Sequence, residues 1–159
     1  MKPGWKLIDP RAESITEGVL FEGDGPIPED WIVMIVCRGE RKERPKLEDF
    51  APHASVYQNS LEALQEMNEL VALTWNGRGT VAVMNDVQGR KMTNDAILNG
   101  ARAAGMSGSG SAIIVVAPKV SKPTCERLLR LFESNKEVTK VIQTSFLSIK
   151  RDDSEDATS

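Results

Sequence analysis

The chain has 159 residues, 40% of them hydrophobic and 27% charged, with a formal net charge of -3. That length suits one domain able to bury a core without disulfide or metal staples, and the mixed composition excludes a disordered or fibrous protein. The mild negative charge argues against nucleic acid as a partner, because phosphate backbones are held by clustered Lys and Arg, and no apolar run approaches the ~20 residues that cross a bilayer.

No charged leader precedes an apolar stretch of signal-peptide length, which makes the cytoplasm the expected location. Cys37 and Cys125 lack the C-x-x-C or His-paired spacing of metal or redox sites and read as buried or idle thiols. No metal-ligating cluster is expected. The basic stretch "RGERKERPK", residues 38–46, is interrupted by glutamates and reads as a solvated loop rather than an anion site.

Along the chain, residues 5–8 are extended, and Asp9-Pro10 marks a turn. "EGDGPIPED", residues 22–30, is rich in Gly, Pro and Asp; its prolines forbid a helix, so it is a connection. "WIVMIVC", residues 31–37, is continuously apolar and β-branched, the pattern of a strand covered on both faces or lying at the centre of a sheet. From residue 52 to 75 the positions Val56, Tyr57, Leu61, Leu64, Met67, Leu70, Val71 and Thr74, taken as apolar, recur at three- and four-residue spacing, which predicts one long helix stopped by Asn76-Gly77.

A second helix is predicted over residues 80–87, ending near Gly89, and a third from Thr93 as N-cap, carrying Ile97, Leu98, Ala101 and Ala104 inward before Gly105. In that third helix Gly100 would cost about 1 kcal/mol relative to alanine. "AIIVVAP", residues 112–118, is a second β-branched strand ended by proline. "SKPTCERLLRLFESN" places Pro near the first turn of a fourth helix with Leu128, Leu129 and Phe132 on one side, and residues 140–149 alternate as a last strand. Residues 150–159, "KRDDSEDATS", read as a disordered acidic tail after a single domain of residues 1–149. The order of elements predicts an α+β fold: a small, mostly antiparallel sheet with helices packed on one face.

The stretch "GMSGSGSA", residues 105–112, admits three readings. A Rossmann fingerprint needs a strand before its glycines and a helix after them, and here the order is reversed. A Walker-type phosphate loop needs Lys-Ser or Lys-Thr after the last glycine, and none follows. A flexible linker would lie between domains, whereas this run joins a small-residue helix directly to a buried strand, where connections are short and packed. Its glycines then serve positive φ or the close approach of another group to the main chain.

"AGMSGSGSAIIVV" resembles the third motif of the GHMP kinase superfamily, a glycine-rich loop between a helix and a strand of the C-terminal domain. It is most similar to that of archaeal-type shikimate kinases, Gly-Leu-Ser-Gly-Thr-Gly-Pro-Ala, with Met106, Ser109 and Ser111 as mild replacements. "LIDPRAESI" resembles the family's Thr-Asp-Asn-Arg segment through Asp9 and Arg11, and the order of elements corresponds over most of residues 6–149. The resemblance implies a ferredoxin-like domain, ATP and Mg2+ as cofactors, a small-molecule substrate such as shikimate or homoserine, and a role as one wall of the phosphate site for Gly105, Ser107, Gly108, Ser109 and Gly110.

The family's ATP loop, Pro-x-x-x-Gly-Leu-Gly-Ser-Ser, is absent from the sequence. The expectation is therefore a kinase half that needs an N-terminal partner half, or that self-associates through the uncovered face, and that does not turn over ATP alone. Arg11, beside Asp9, is the candidate for a substrate carboxylate, or else a surface arginine paired with Asp9 or Glu13. Asn76 and Arg78 are further substrate candidates at a helix break. His53 reads as a helix-end residue, and Trp31, Met67 and Met106 read as core. A non-catalytic α+β binding or regulatory module remains the alternative.

Overall fold

A computed structural model of the chain describes residues 4–9, 11–40, 43–108 and 110–148. The apolar run after residue 30 becomes strand β3 (Trp31–Arg38), preceded by an antiparallel hairpin of β1 (Trp5–Ile8) and β2 (Val19–Gly23). Three helices follow: α1 (Ala54–Gln65), α2 (Glu69–Val83) and α3 (Val87–Leu98). Then come β4 (Ala103–Met106), β5 (Ile113–Pro118), α4 (Lys122–Glu133) and β6 (Val138–Thr144). The last four strands form one antiparallel sheet in the order β4-β5-β3-β6, the split βαββαβ arrangement of ferredoxin-like folds with three helices in the first crossover. The fold class expected from sequence is the one observed.

Period-two alternation sorts the sheet's side chains. Met34 and Val36 of β3 lie opposite Val115 and Ile113 of β5, which in turn pair with Ala104 and Met106 of β4. This face packs beneath Met92 and Ala96 of α3 and Cys125, Leu128 and Phe132 of α4 as the main core. On the opposite face Ala103 and Val116 form a smaller cluster with Leu70, Leu73, Trp31 and Phe146. A strand apolar on both faces is thus what the unbroken run 31–37 encodes.

The helix boundaries differ from those the periodicity predicts. Residues 52–75 are not one helix: α1 closes in a Schellman motif, with Met67 in the left-handed region at φ +57, Met67 N–H donating to Leu64 O and Asn68 N–H donating to Ala63 O. Asn68 then caps α2 by accepting from Val71 N–H. Met67 is 87% exposed and is not core. The same motif recurs twice, with Asn85 (φ +48) closing α2 and Gly100 (φ +99) closing α3. Gly100 therefore lies at a position that requires positive φ, and no interior penalty applies.

Asn76-Gly77 does not stop a helix; both residues lie inside α2. The predicted helix 80–87 is the end of α2, a turn and the start of α3, and Gly89 sits in the first turn of α3. Thr93 is no cap, since it lies within α3 with its hydroxyl donating to Arg90 O. Residues 103–106 are strand, not helix, because pairing with β5 overrides the helical propensity of an alanine pair. The connection 22–30 holds the end of β2 and a 3-10 turn, Pro28–Asp30, that tolerates proline at its first position. The last strand is Val138–Thr144 rather than 140–149. Residues 150–159 lie outside the described residues.

Gly77 explains why a helix would accept glycine. A Cβ built there would sit 2.2 Å from Gly105 Cα and 3.0 Å from Met106 N, so α2 and β4 touch main chain to main chain. This approach brings Thr74 Oγ1 to 3.3 Å from Ala104 N, satisfying an amide on the free edge of β4. Alanine at 77 would gain about 1 kcal/mol of helix propensity, yet the backbone clash outweighs it. Gly77→Ala is expected to lower unfolding free energy by about 3 kcal/mol or more. Gly39→Ala, where a Cβ meets nothing within 4 Å, should change it by under about 0.5 kcal/mol. Urea unfolding of the two variants checks this; equal, small effects would remove the contact.

Candidate functional site

The glycine run connects two strands rather than a helix and a strand. With Met106 opposite Ile113, residues 107, 108 and 110–112 lie at the tip of the β4–β5 hairpin. Ser107 N–H donates to Ala112 O at 2.9 Å and Gly110 N–H donates to Ser107 O at 2.9 Å, so the turn is closed by its own main chain. Gly108 adopts φ +52, is exposed, and has open space where a side chain would point. Its N–H has no acceptor among the described residues. Gly105 is buried in β4, where the contact with α2 accounts for it. Ser109 lies outside the described residues.

The base of the turn is held by a side chain that the sequence pattern places in a solvated loop. Arg38, the last residue of β3, donates from Nε to Ser111 O at 2.6 Å, from Nη1 to Asp86 Oδ1 at 3.2 Å and from Nη2 to Asp86 Oδ2 at 2.5 Å. The Arg38 side chain is 9% exposed and that of Asp86 22%. Asp86 is also the N-cap of α3, accepting from Gly89 N–H at 2.8 Å. A Cβ on Gly89 would lie 2.5 Å from Asp86 Oδ2, so glycine leaves room for the carboxylate over the first turn. Burial pushes the Asp86 carboxyl up, but the hydrogen bonds from Arg38 and Gly89 outweigh it and hold the group below the usual carboxylate range. Nothing in the local spacing of Arg38 or Asp86 signals the pair, which is 48 residues apart in sequence; the one hint is a cation placed directly at the end of a buried strand.

The other candidates fall in two further places. Asp9 and Arg11 sit in the β1–β2 connection: Asp9 Oδ1 accepts from Arg11 N–H at 2.9 Å and from Nε at 3.2 Å. These bonds lower the Asp9 carboxyl, the main-chain one contributing most. The Arg11 side chain is 78% exposed, and its pairing with Asp9 is that of a surface arginine. Asn76 and Arg78 are exposed on α2, where the Arg78 guanidinium stacks 4.9 Å from the Trp75 ring centre.

Asn76 alone of these candidates lines a cleft of about 1270 Å³ walled by the start of β1, residues 24–29, α1, α2 and residues 145–148. Trp5, Leu61, Leu70 and Phe146 make that cleft largely apolar. Asp9 and Arg11 are not among the residues that line this cleft. His53 ends a 3-10 turn, Leu47–His53, directly before α1. Both cysteines are free, and burial raises the Cys125 thiol. No helix among the described residues is long and apolar enough to cross a membrane.

No family model matches the sequence, and no curated protein matches it. Solved structures match it in fold. The L. major mevalonate kinase in complex with R-mevalonate is similar at TM-score 0.52 and 16% identity over 79% of this chain and 45% of its own. The homoserine kinase from Cytophaga hutchinsonii is similar at TM-score 0.50 and 13% identity over 91% of this chain and 48% of its own. The chain thus spans less than half the length of either kinase.

Because Asp86 titrates lower in the folded state than the unfolded value of about 3.9, the unfolded chain binds the proton first as pH falls. The stabilisation is therefore complete above about pH 5 and is lost as pH falls through the folded value. Asp86→Asn, which keeps a capping acceptor, should flatten the acid limb of stability measured by urea unfolding between about pH 5 and 2.5. Asp86→Ala should cost about 2 kcal/mol at pH 7 through loss of the cap and of the partner of a buried arginine. An unchanged acid limb in Asp86→Asn would contradict the assignment.

Proposed function

We propose that the chain is the C-terminal half of an ATP-dependent small-molecule kinase of the GHMP type, most similar to archaeal shikimate kinases, with a homoserine kinase half as the alternative. The observation that supports this most is a positive-φ glycine, Gly108, presenting a main-chain N–H with no acceptor among the described residues at the tip of a buried hairpin, in a fold shared with under half of two such kinases. Phosphoryl transfer between oxygens is accelerated mainly by positioning and by neutralising developing charge, and main-chain amides in a turn supply both without desolvating a side chain.

In this reading ATP is held mainly by an N-terminal half, and Gly108, Ser107, Ser109 and Gly110 form one wall beside its phosphates. Mg2+, which would neutralise phosphate charge, is placed with the other half in the same reading. Arg11 is the proposed fork for a substrate carboxylate, and Asn76 the proposed polar contact in the cleft. Arg78, stacked on Trp75, is the weaker of the α2 pair for that role. The protein is proposed to work in the cytoplasm.

The rival is a binding or regulatory module without catalysis, favoured by one observation: Gly77 and Gly105 are accounted for by packing alone. Co-expression with an N-terminal half carrying the Pro-x-x-x-Gly-Leu-Gly-Ser-Ser loop separates the two, with phosphate transfer to shikimate, homoserine and mevalonate as the readout. Transfer to one acceptor is expected; a stable complex inert toward all three favours the module. In the active complex Gly108→Asn, which tolerates positive φ, should lower kcat at least tenfold, about 1.4 kcal/mol, with little loss of stability. Arg11→Ala should raise KM for a carboxylate acceptor more than it lowers kcat.

A further inference from the structure

The three nitrogens of the Arg38 guanidinium are all engaged, two by the Asp86 carboxylate and one by the Ser111 carbonyl. Asp86 is in turn fixed by the first turn of α3 through Gly89 N–H. A continuous path of charge-assisted hydrogen bonds therefore runs from the α3 N-terminus to the base of the glycine turn, and its central cation is nearly buried. Such a cation is placed to orient main chain, not to meet a ligand itself. The turn it holds contains the exposed Gly108, with open space in the direction a side chain would take.

We propose that Arg38 is the positioning residue of the glycine turn: with Asp86 it fixes the Ser111 carbonyl and thereby the direction in which the Gly108 amide points. The proposal rests on the reading of that turn as a phosphate wall, and it assigns affinity for phosphate to a buried ion pair that never touches the anion. It also separates two roles that a simple charge argument would merge. An arginine that bound phosphate directly would be released by loss of Asp86, and removing a nearby negative charge would strengthen anion binding. An arginine that positions the turn loses its own anchor in the same variant, and binding weakens.

The test uses the full chain, labelled for amide NMR and titrated with inorganic tripolyphosphate. In the unaltered protein the Gly108 amide should shift on titration. Asp86→Asn and Arg38→Lys should each weaken the apparent affinity at least fivefold, and Arg38→Met, if it folds, at least tenfold. Without phosphate, hydrogen exchange at the Ser107 and Gly110 amides should rise at least tenfold in Asp86→Asn while the Val115 and Val116 amides of β5 keep their protection. Stronger binding in Asp86→Asn would overturn positioning in favour of direct contact. Unchanged exchange at Ser107 and Gly110 in Asp86→Asn and in Arg38→Lys would overturn the proposal whatever phosphate does. Absence of any shift in the unaltered protein, with the exchange result as expected, would instead overturn the assignment of phosphate affinity and leave Arg38 as the anchor of the turn.

Discussion

The contact between Gly77 and Gly105 governs how the two halves of the fold meet. With no side chain on either residue, α2 lies against β4 at main-chain distance. The Thr74 hydroxyl then reaches the Ala104 amide. One end of α2 delivers Leu70 and Leu73 to the small cluster, and the other delivers Val81 to the main core. A helix that could not come this close would leave an edge-strand amide unsatisfied and open a gap on both faces of the sheet. The helix-propensity cost of glycine, about 1 kcal/mol, is small against those losses. Gly79 repeats the device on another side of the helix, where a Cβ would lie 2.6 Å from the Tyr57 ring of α1.

The hairpin that β4 begins inherits its position from that contact. Its tip is then fixed from the other side by Arg38, so the glycine turn is held between main-chain packing at its root and a buried ion pair at its base. Buried ion pairs contribute little net stability once desolvation is counted, but they are strongly directional. Direction is what a turn made of glycine and serine lacks on its own, because such residues restrict the main chain least. The geometry is consistent with a turn whose conformation matters, and the proposed kinase role gives that conformation something to do.

Strands β3 and β5 are legible in the sequence because a continuous β-branched run of six or seven residues suits burial on both faces of a sheet and is too short for a core helix; residues 31–37 and 112–118 lie within one or two positions of them, whereas the alanine-rich β4 reads as helix. Helix α4 is legible from its proline start and its leucine stripe. The three-helix crossover is not, because its breaks fall at left-handed residues and only one of them, Gly100, is the residue type that advertises the conformation. Met67 continues the apolar period while ending the helix, and Asn76-Gly77 looks like an ending while lying mid-helix. Both departures have one source: local spacing records what a residue tolerates, and tertiary contact decides which tolerance is used. Of the candidate site, the glycine run is legible as a short connection leading into a buried strand, whereas Arg38 and Asp86 come together only through folding.

The Gly77–Gly105 approach can be observed without mutation. In the folded protein in solution, a nuclear Overhauser contact between the α-protons of Gly77 and Gly105 should be among the strongest linking α2 to β4. Its absence, with contacts instead placing those two residues a full side-chain layer apart, would contradict the packing on which the hairpin, its glycine turn and the proposed phosphate wall all depend.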